Sequence, residues 1–177
     1  YEQLMQMLAE LIIIRQMASF DWGEDANFTH EPTPGKSNKN PELLVELDGY
    51  DIGIEVKCPS LLDHVQERSS KPFQIPARSI VRDTLNSMLD GEEEENVVLP
   101  RDNPVKDFLI SANEKFEPFK VDEESFCGIL VVVWDDYIFE PISALLSPLS
   151  GLFTEESFAC DEEGNPLPFE YVDGVII

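Results

Sequence analysis

The stretch Asn40–Ser60 reads N-P-E-L-L-V-E-L-D-G-Y-D-I-G-I-E-V-K-C-P-S. Two alternating runs flank Asp48-Gly49, a dipeptide that readily takes the positive backbone angles of a tight hairpin turn. Side chains alternate across a strand, so Leu43, Val45 and Leu47 share one face and Glu42, Leu44 and Glu46 the other. In the second run Ile52, Ile54, Val56 and Cys58 form the apolar face, opposed by Gly53, Glu55 and Lys57. Two registers satisfy this pattern. With Asp48 and Gly49 as the loop, Leu47 faces Tyr50 and Glu42 faces Glu55; with Gly49 and Tyr50 as the loop, Asp48 faces Asp51 and Glu42 faces Lys57. Either one joins the apolar faces and gathers Glu42, Glu55 and Lys57 on the opposite side, where facing Cβ atoms lie roughly 5 Å apart. A slip of one residue would turn the whole set to the wrong face.

Two close carboxylates with an ammonium beside them suit a hard divalent cation. Mg²⁺ takes oxygen ligands, usually one or two carboxylates, and leaves its other positions to water and phosphate. A neighbouring lysine can hold an attacking water or offset charge growing on a phosphate. These residues resemble the PD-(D/E)xK nucleases of restriction-endonuclease-like fold. Pro41-Glu42 stands where that family has Pro-Asp, Glu55-Val56-Lys57 matches its (D/E)-x-K, and the thirteen-residue separation across a hairpin is typical of it. Glutamate at 42 departs from the usual aspartate and moves the carboxylate out by one methylene. The resemblance implies that Glu42 and Glu55 bind Mg²⁺ or Mn²⁺ with the Val56 carbonyl, and that Glu42, Glu55 and Lys57 are catalytic, Lys57 positioning the water. It also implies a metal role for Glu10, because the first helix of these nucleases often supplies a glutamate near the ion.

Composition bounds the rest. A chain of 177 residues, 42% hydrophobic and with eleven phenylalanines, is most simply one globular domain over 1–177. It starts without methionine at Tyr1 and ends on Val175-Ile176-Ile177, which fits a piece of a longer chain. No apolar run approaches the roughly 20 residues that span a bilayer. Three cysteines without paired spacing point to a reducing, cytoplasmic setting, and two histidines, His30 and His64, give no zinc pattern. Twelve basic residues against 36 acidic ones leave a net charge of −24, which repels nucleic acid on average. The charge is polarised. Lys57, Arg68, Lys71, Arg78 and Arg82 lie among only two acids, Asp63 and Glu67, whereas from Glu117 onward Lys120 is the sole basic residue.

Taken in order, Glu2–Ala18 predicts a helix with Leu4, Met7, Leu8, Leu11 and Ile14 as its stripe, widened by Ile12 and Ile13 into a mostly buried element. Residues 19–40 read as loop with a short strand near Ala26–Thr29, and His30 reads as a surface loop residue. Pro59 ends the hairpin's second strand. Leu61–Arg68 suggests a short helix, 69–76 a mobile loop, and Arg78–Leu89 a helix on which Arg78 and Arg82, one turn apart, join Lys71 as nucleic-acid contacts. The acidic run Glu92–Glu95 reads as solvated loop. Asn103-Pro104 opens a helix with Val105, Phe108, Leu109, Ala112 and Phe116 inward, which Pro118 ends. Gly128–Trp134 is a continuous apolar run of the kind found in a strand covered on both faces. Asp135-Asp136 then reads as a turn, Tyr137–Glu140 as a sheet extension, Pro141–Ser150 as short helix or loop, and Tyr171–Ile177 as a closing strand. Periodicity alone predicts an α/β sandwich; the resemblance narrows it to an αβββαβ core with a central mixed sheet flanked by helices.

Two functions follow. One is a metal-dependent nuclease hydrolysing DNA phosphodiester bonds in a restriction, mobile-element or phage-defence setting, brought to DNA by a basic partner subunit, a fused DNA-binding domain or a homodimer. The other is a catalytically degenerate binding protein on the same fold, its acidic surface imitating DNA. A halophilic protein whose acids maintain solubility is a third explanation of the charge.

Overall fold

The computed structural model describes residues 2–33, 39–71, 73–75, 97–98, 100–122, 125–135 and 137–177. In chain order its elements are α1 (Glu2–Ala18), β1 (Asn27–His30), β2 (Leu43–Leu47), β3 (Tyr50–Lys57), α2 (Leu61–Ser70), β4 (Phe73–Gln74), β5 (Val97–Val98), α3 (Asp102–Asp122), β6 (Phe126–Val132), α4 (Phe139–Leu146) and β7 (Gly174–Ile176). They divide into two compact units. The first comprises Tyr1–Cys58, Phe108–Val133 and Phe169–Ile177; the second comprises Pro59–Asp107 and Trp134–Pro168.

The first unit is a five-stranded mixed sheet in the order β1-β2-β3-β6-β7, flanked by helices. β1, β2 and β3 are antiparallel neighbours, whereas β6 and β7 continue parallel from β3. The hairpin takes the first of the two registers: Leu47 pairs with Tyr50 and Leu43 with Ile54, with Asp48 and Gly49 as the loop. Gly49 has φ +84°, the left-handed conformation this turn demands.

Each face of the sheet has its own partner. Leu43, Val45, Ile54, Val56 and Val131 form a buried cluster against which Ile13 and Met17 of α1 pack. On the opposite face Gly53 pairs directly with Gly128. A Cβ at either glycine would run into a ring: Phe126 at Gly53, and Phe116 Cδ2 at 2.6 Å at Gly128. The missing side chains make a shallow trough, and it is filled by Phe116 of α3 and Phe126 of β6, whose centroids are 5.8 Å apart. Phe119 stacks on Phe126 at 5.4 Å. The final segment is tied to the centre of the sheet, since Asp173 N donates to the Gly128 carbonyl, the Gly128 amide donates to Asp173 Oδ2, and Lys120 pairs with Asp173.

Several expectations are corrected. α1 has the predicted limits, but it is not mostly buried: Ala9, Ile13 and Met17 turn to the sheet side, whereas Leu4, Met7, Leu8, Leu11 and Ile12 are exposed. Proline at 118 does not end α3, because Phe116 and Phe119 anchor the chain to Phe126 on both sides of it and the helix runs on to Asp122. The expected sheet extension at Tyr137–Glu140 is instead the start of α4, whose first turn accommodates Pro141. Within 69–76, residues 69 and 70 finish α2, while Phe73–Gln74 pairs in parallel with Val97–Val98. His30 lies on β1 rather than in a loop. The Arg78–Leu89 helix and the Glu92–Glu95 run lie outside the described residues.

In the second unit Glu140, fully buried, accepts from Arg101 Nε (3.2 Å), Arg101 Nη2 (2.9 Å) and Trp134 Nε1 (3.1 Å). Arg101 also pairs with Asp135 at 3.0 Å and lies 4.4 Å from the centroid of the Trp134 ring. Asp135, read from the sequence as a turn residue, is thus an ion-pair partner. None of the described helices is long and apolar enough to cross a membrane.

The glycine pair gives a direct test of this packing. Gly128→Ala would press its methyl on Phe116 and the Tyr171 carbonyl, so urea denaturation should show a loss of about 1–3 kcal/mol. Unchanged stability would mean the ring and the strand approach less closely than described.

Candidate metal and phosphate site

The polar face of the hairpin is not a solvated edge. Glu55, in the middle of the sheet between β2 and β6, has no exposed surface at all. A carboxylate in such a place needs positive charge and hydrogen bonds to offset its lost hydration. Two ammonium groups supply them. Lys57 Nζ lies 2.8 Å from Glu55 Oε1, and Lys115 Nζ, arriving from α3, lies 2.6 Å from the same oxygen. Lys115 is also 3.6 Å from Glu42 Oε1, so one lysine spans both carboxylates. The remaining oxygen, Glu55 Oε2, is buried and accepts no hydrogen bond among the described residues.

Position 42 precedes β2, and the hairpin register places it opposite Glu55. Glu42 holds its proton more tightly than an ordinary carboxyl. Burial is the largest cause and the Glu55 charge the next; Glu10 adds to the effect and Lys115 opposes it. Glu10 is thereby within electrostatic reach of Glu42. It also lines, with Gln6, Val56, Lys57, Cys58, Phe108 and Ser111, a cavity of about 240 Å³ at the end of β3. His30 and Glu31, both exposed, bring ligand atoms within 4.8 Å of one on Glu42 and of each other. Glu31 has φ +46° and its amide donates to the Glu42 carbonyl at 3.0 Å.

Glu42, Glu55 and Lys57 are therefore brought together, and Glu10 and Val56 border the cavity beside them. Of the proposed nucleic-acid contacts, Lys71 belongs to the second unit, between α2 and β4, and Arg78 and Arg82 fall outside the described residues. Lys39, in the segment read as loop, pairs with Glu114 at 2.8 Å. The residue that sequence reasoning missed is Lys115. Its signal was present, because it stands seven residues after Phe108 and three after Ala112, on the face of α3 that carries the apolar stripe.

No protein-family model, curated protein or solved structure matches this chain. The functional reading stands on the residues and their geometry.

Oxygen donors of the kind a divalent cation takes are present: two carboxylates on facing positions, a third near by on α1, and a buried carboxylate oxygen with its acceptor capacity unused. The raised proton affinity of Glu42 has a consequence for stability. Since the folded chain holds this proton more tightly than the unfolded one, stability falls as pH rises from the ordinary value of 4.5 to the raised one, and stays lower above it. Glu42→Gln removes that penalty, so its Tm should exceed the parent's at pH 7, with the gain fading as pH drops from the raised value to 4.5 and gone below it. Thermal melts across pH check both the sign and the window.

Proposed function

We propose that this chain is a metal-dependent nuclease of PD-(D/E)xK type that hydrolyses phosphodiester bonds of DNA. The observation that carries this reading is the buried Glu55 carboxylate, one oxygen unused, set beside Glu42 and Lys57 on adjoining strands. The order α1-β1-β2-β3-α3-β6 in the first unit supports the restriction-endonuclease-like αβββαβ core as its fold.

In this reading Glu42 and Glu55 are the ion's carboxylate ligands, aided by the Val56 carbonyl and by Glu10. A bound Mg²⁺ or Mn²⁺ supplies Lewis-acid polarisation of the phosphate and lowers the pKa of a bound water. The chain's own groups do the rest. Glu55 holds Lys57 at 2.8 Å, fixing an ammonium at the cavity wall where it orients the attacking water and offsets charge developing on the phosphate. Ser111 and Gln6 add polar groups to that wall.

A net charge of −24 favours a second reading, a non-cleaving nuclease-fold protein whose acids engage a basic partner or imitate DNA. As a nuclease the protein would depend on a basic subunit, a fused DNA-binding domain or a homodimer to meet its substrate, in restriction, mobile-element or phage defence. Cleavage of single- and double-stranded DNA with Mg²⁺ or Mn²⁺ separates the two. The parent should cut, and Glu55→Gln and Lys57→Ala should each lose about 10²-fold or more. Equal cleavage by all three would reject the assignment of these residues. No cleavage by the parent, together with tight binding to a basic protein, would establish the alternative.

A further inference from the structure

We infer that Lys115 is the site's built-in countercation, standing between Glu42 and Glu55 where a divalent ion would be held and setting that ion's affinity by competing with it. This deepens the metal-site reading above and rests on it.

A single ammonium lies 2.6 Å from Glu55 Oε1 and 3.6 Å from Glu42 Oε1. It is the only cation described that reaches both carboxylates, and it reaches them from a different element than Lys57 does. Lys57 is already sufficient to pair with Glu55, and it sits on the same strand two residues away. A second lysine on the same oxygen is therefore more than a pair needs. It becomes intelligible when Glu42 is included: two carboxylates and two ammonium groups balance, and the cluster can stay dry without an ion. The match is incomplete, because ammonium contacts leave Glu55 Oε2 buried with no partner among the described residues. A divalent ion shared by the two carboxylates has both the charge and the coordination number to use that oxygen.

Lys115 can leave. Its side chain keeps 22% of its surface in solvent and hangs on a flexible four-carbon stem, whereas Glu55 is locked in the sheet. Ser111, one helical turn earlier on α3, lines the cavity. An ammonium displaced from the carboxylates thus stays on the cavity side of the helix, within range of a phosphate bound there. The lysine would exchange one anionic partner for another as the site fills.

Mn²⁺ titration followed by the EPR signal of the free ion tests this without any activity measurement. Lys115→Met should bind Mn²⁺ at least about tenfold more tightly than the parent, the order expected when a unit charge a few ångströms away is removed. Lys115→Gln, which keeps a donor for Glu55 but no charge, should do the same and guards against misfolding of the methionine variant. Lys115→Arg, with its charge retained, should stay near the parent. Adding Glu55→Gln to any of them should abolish the tight binding. Equal or weaker affinity in both neutral variants, with Mn²⁺ still bound by the parent, would overturn the countercation role and leave the metal site standing. Binding that survives Glu55→Gln would overturn it too, by locating the ion elsewhere. Absence of binding in the parent and every variant would remove the metal site and this inference together.

Discussion

The burial of Glu55 is the constraint around which the first unit is arranged. A carboxylate with no surface in water has lost its hydration, and the loss has to be offset locally by charge and hydrogen bonds. One partner, Lys57, comes from the same strand face. The other, Lys115, must come from a helix, so α3 has to approach the sheet closely enough for a lysine to reach the centre of it. The Gly53–Gly128 pair permits that approach: with no Cβ on either strand, Phe116, the residue next to Lys115, settles fully buried against the backbone. Packing and electrostatics here are one arrangement, in which the trough that seats a phenylalanine also sets the height of the lysine beside it.

Glu140 in the second unit shows what a carboxylate buried for structure looks like. It too is inaccessible, and it too has one oxygen without a hydrogen-bond partner among the described residues. Its other oxygen, however, takes three donors from Arg101 and Trp134, and the guanidinium is stacked on the indole. A planar, fixed donor set of this kind closes the site. Around Glu55 the donors are two ammonium groups from separate elements, a second carboxylate with raised proton affinity faces it, and a cavity opens alongside Lys57. An unmatched buried oxygen is common to both places; the second acid, the two lysines and the adjoining space are what distinguish this one.

The overall charge and the local charge act on different scales. At −24 the chain as a whole repels a polyanion over distances up to the Debye length, about 8 Å at physiological salt, and that governs encounter. Within the site the two lysines lie at contact distance from Glu55, and Lys115 reaches Glu42 as well, so charge is offset there locally. The exposed apolar residues of α1, Leu4, Met7, Leu8, Leu11 and Ile12, are a further surface, whereas Ala9 is buried and Ile13 and Met17 pack on the sheet's apolar cluster.

Local rules were enough for the hairpin, its turn and its two faces, because strand alternation and the Asp48-Gly49 conformation act over a few residues and admit only two registers. They also sufficed for the limits of α1, for a buried strand expected at Gly128–Trp134 and found two residues earlier at Phe126–Val132, and for the grouping of Glu42, Glu55 and Lys57. Local rules failed where a distant contact overrode them: Pro118 stays inside α3 because two phenylalanines hold both its flanks to β6, and the stripe of α1 that looked inward faces out because the sheet is met along Ala9, Ile13 and Met17 instead. The choice of register, the complete burial of Glu55 and the arrival of Lys115 sixty residues along the chain belong to the tertiary structure alone. Periodicity names the face on which a side chain lies; which other face comes to cover it depends on how closely two backbones can approach, and that is settled only when the elements pack.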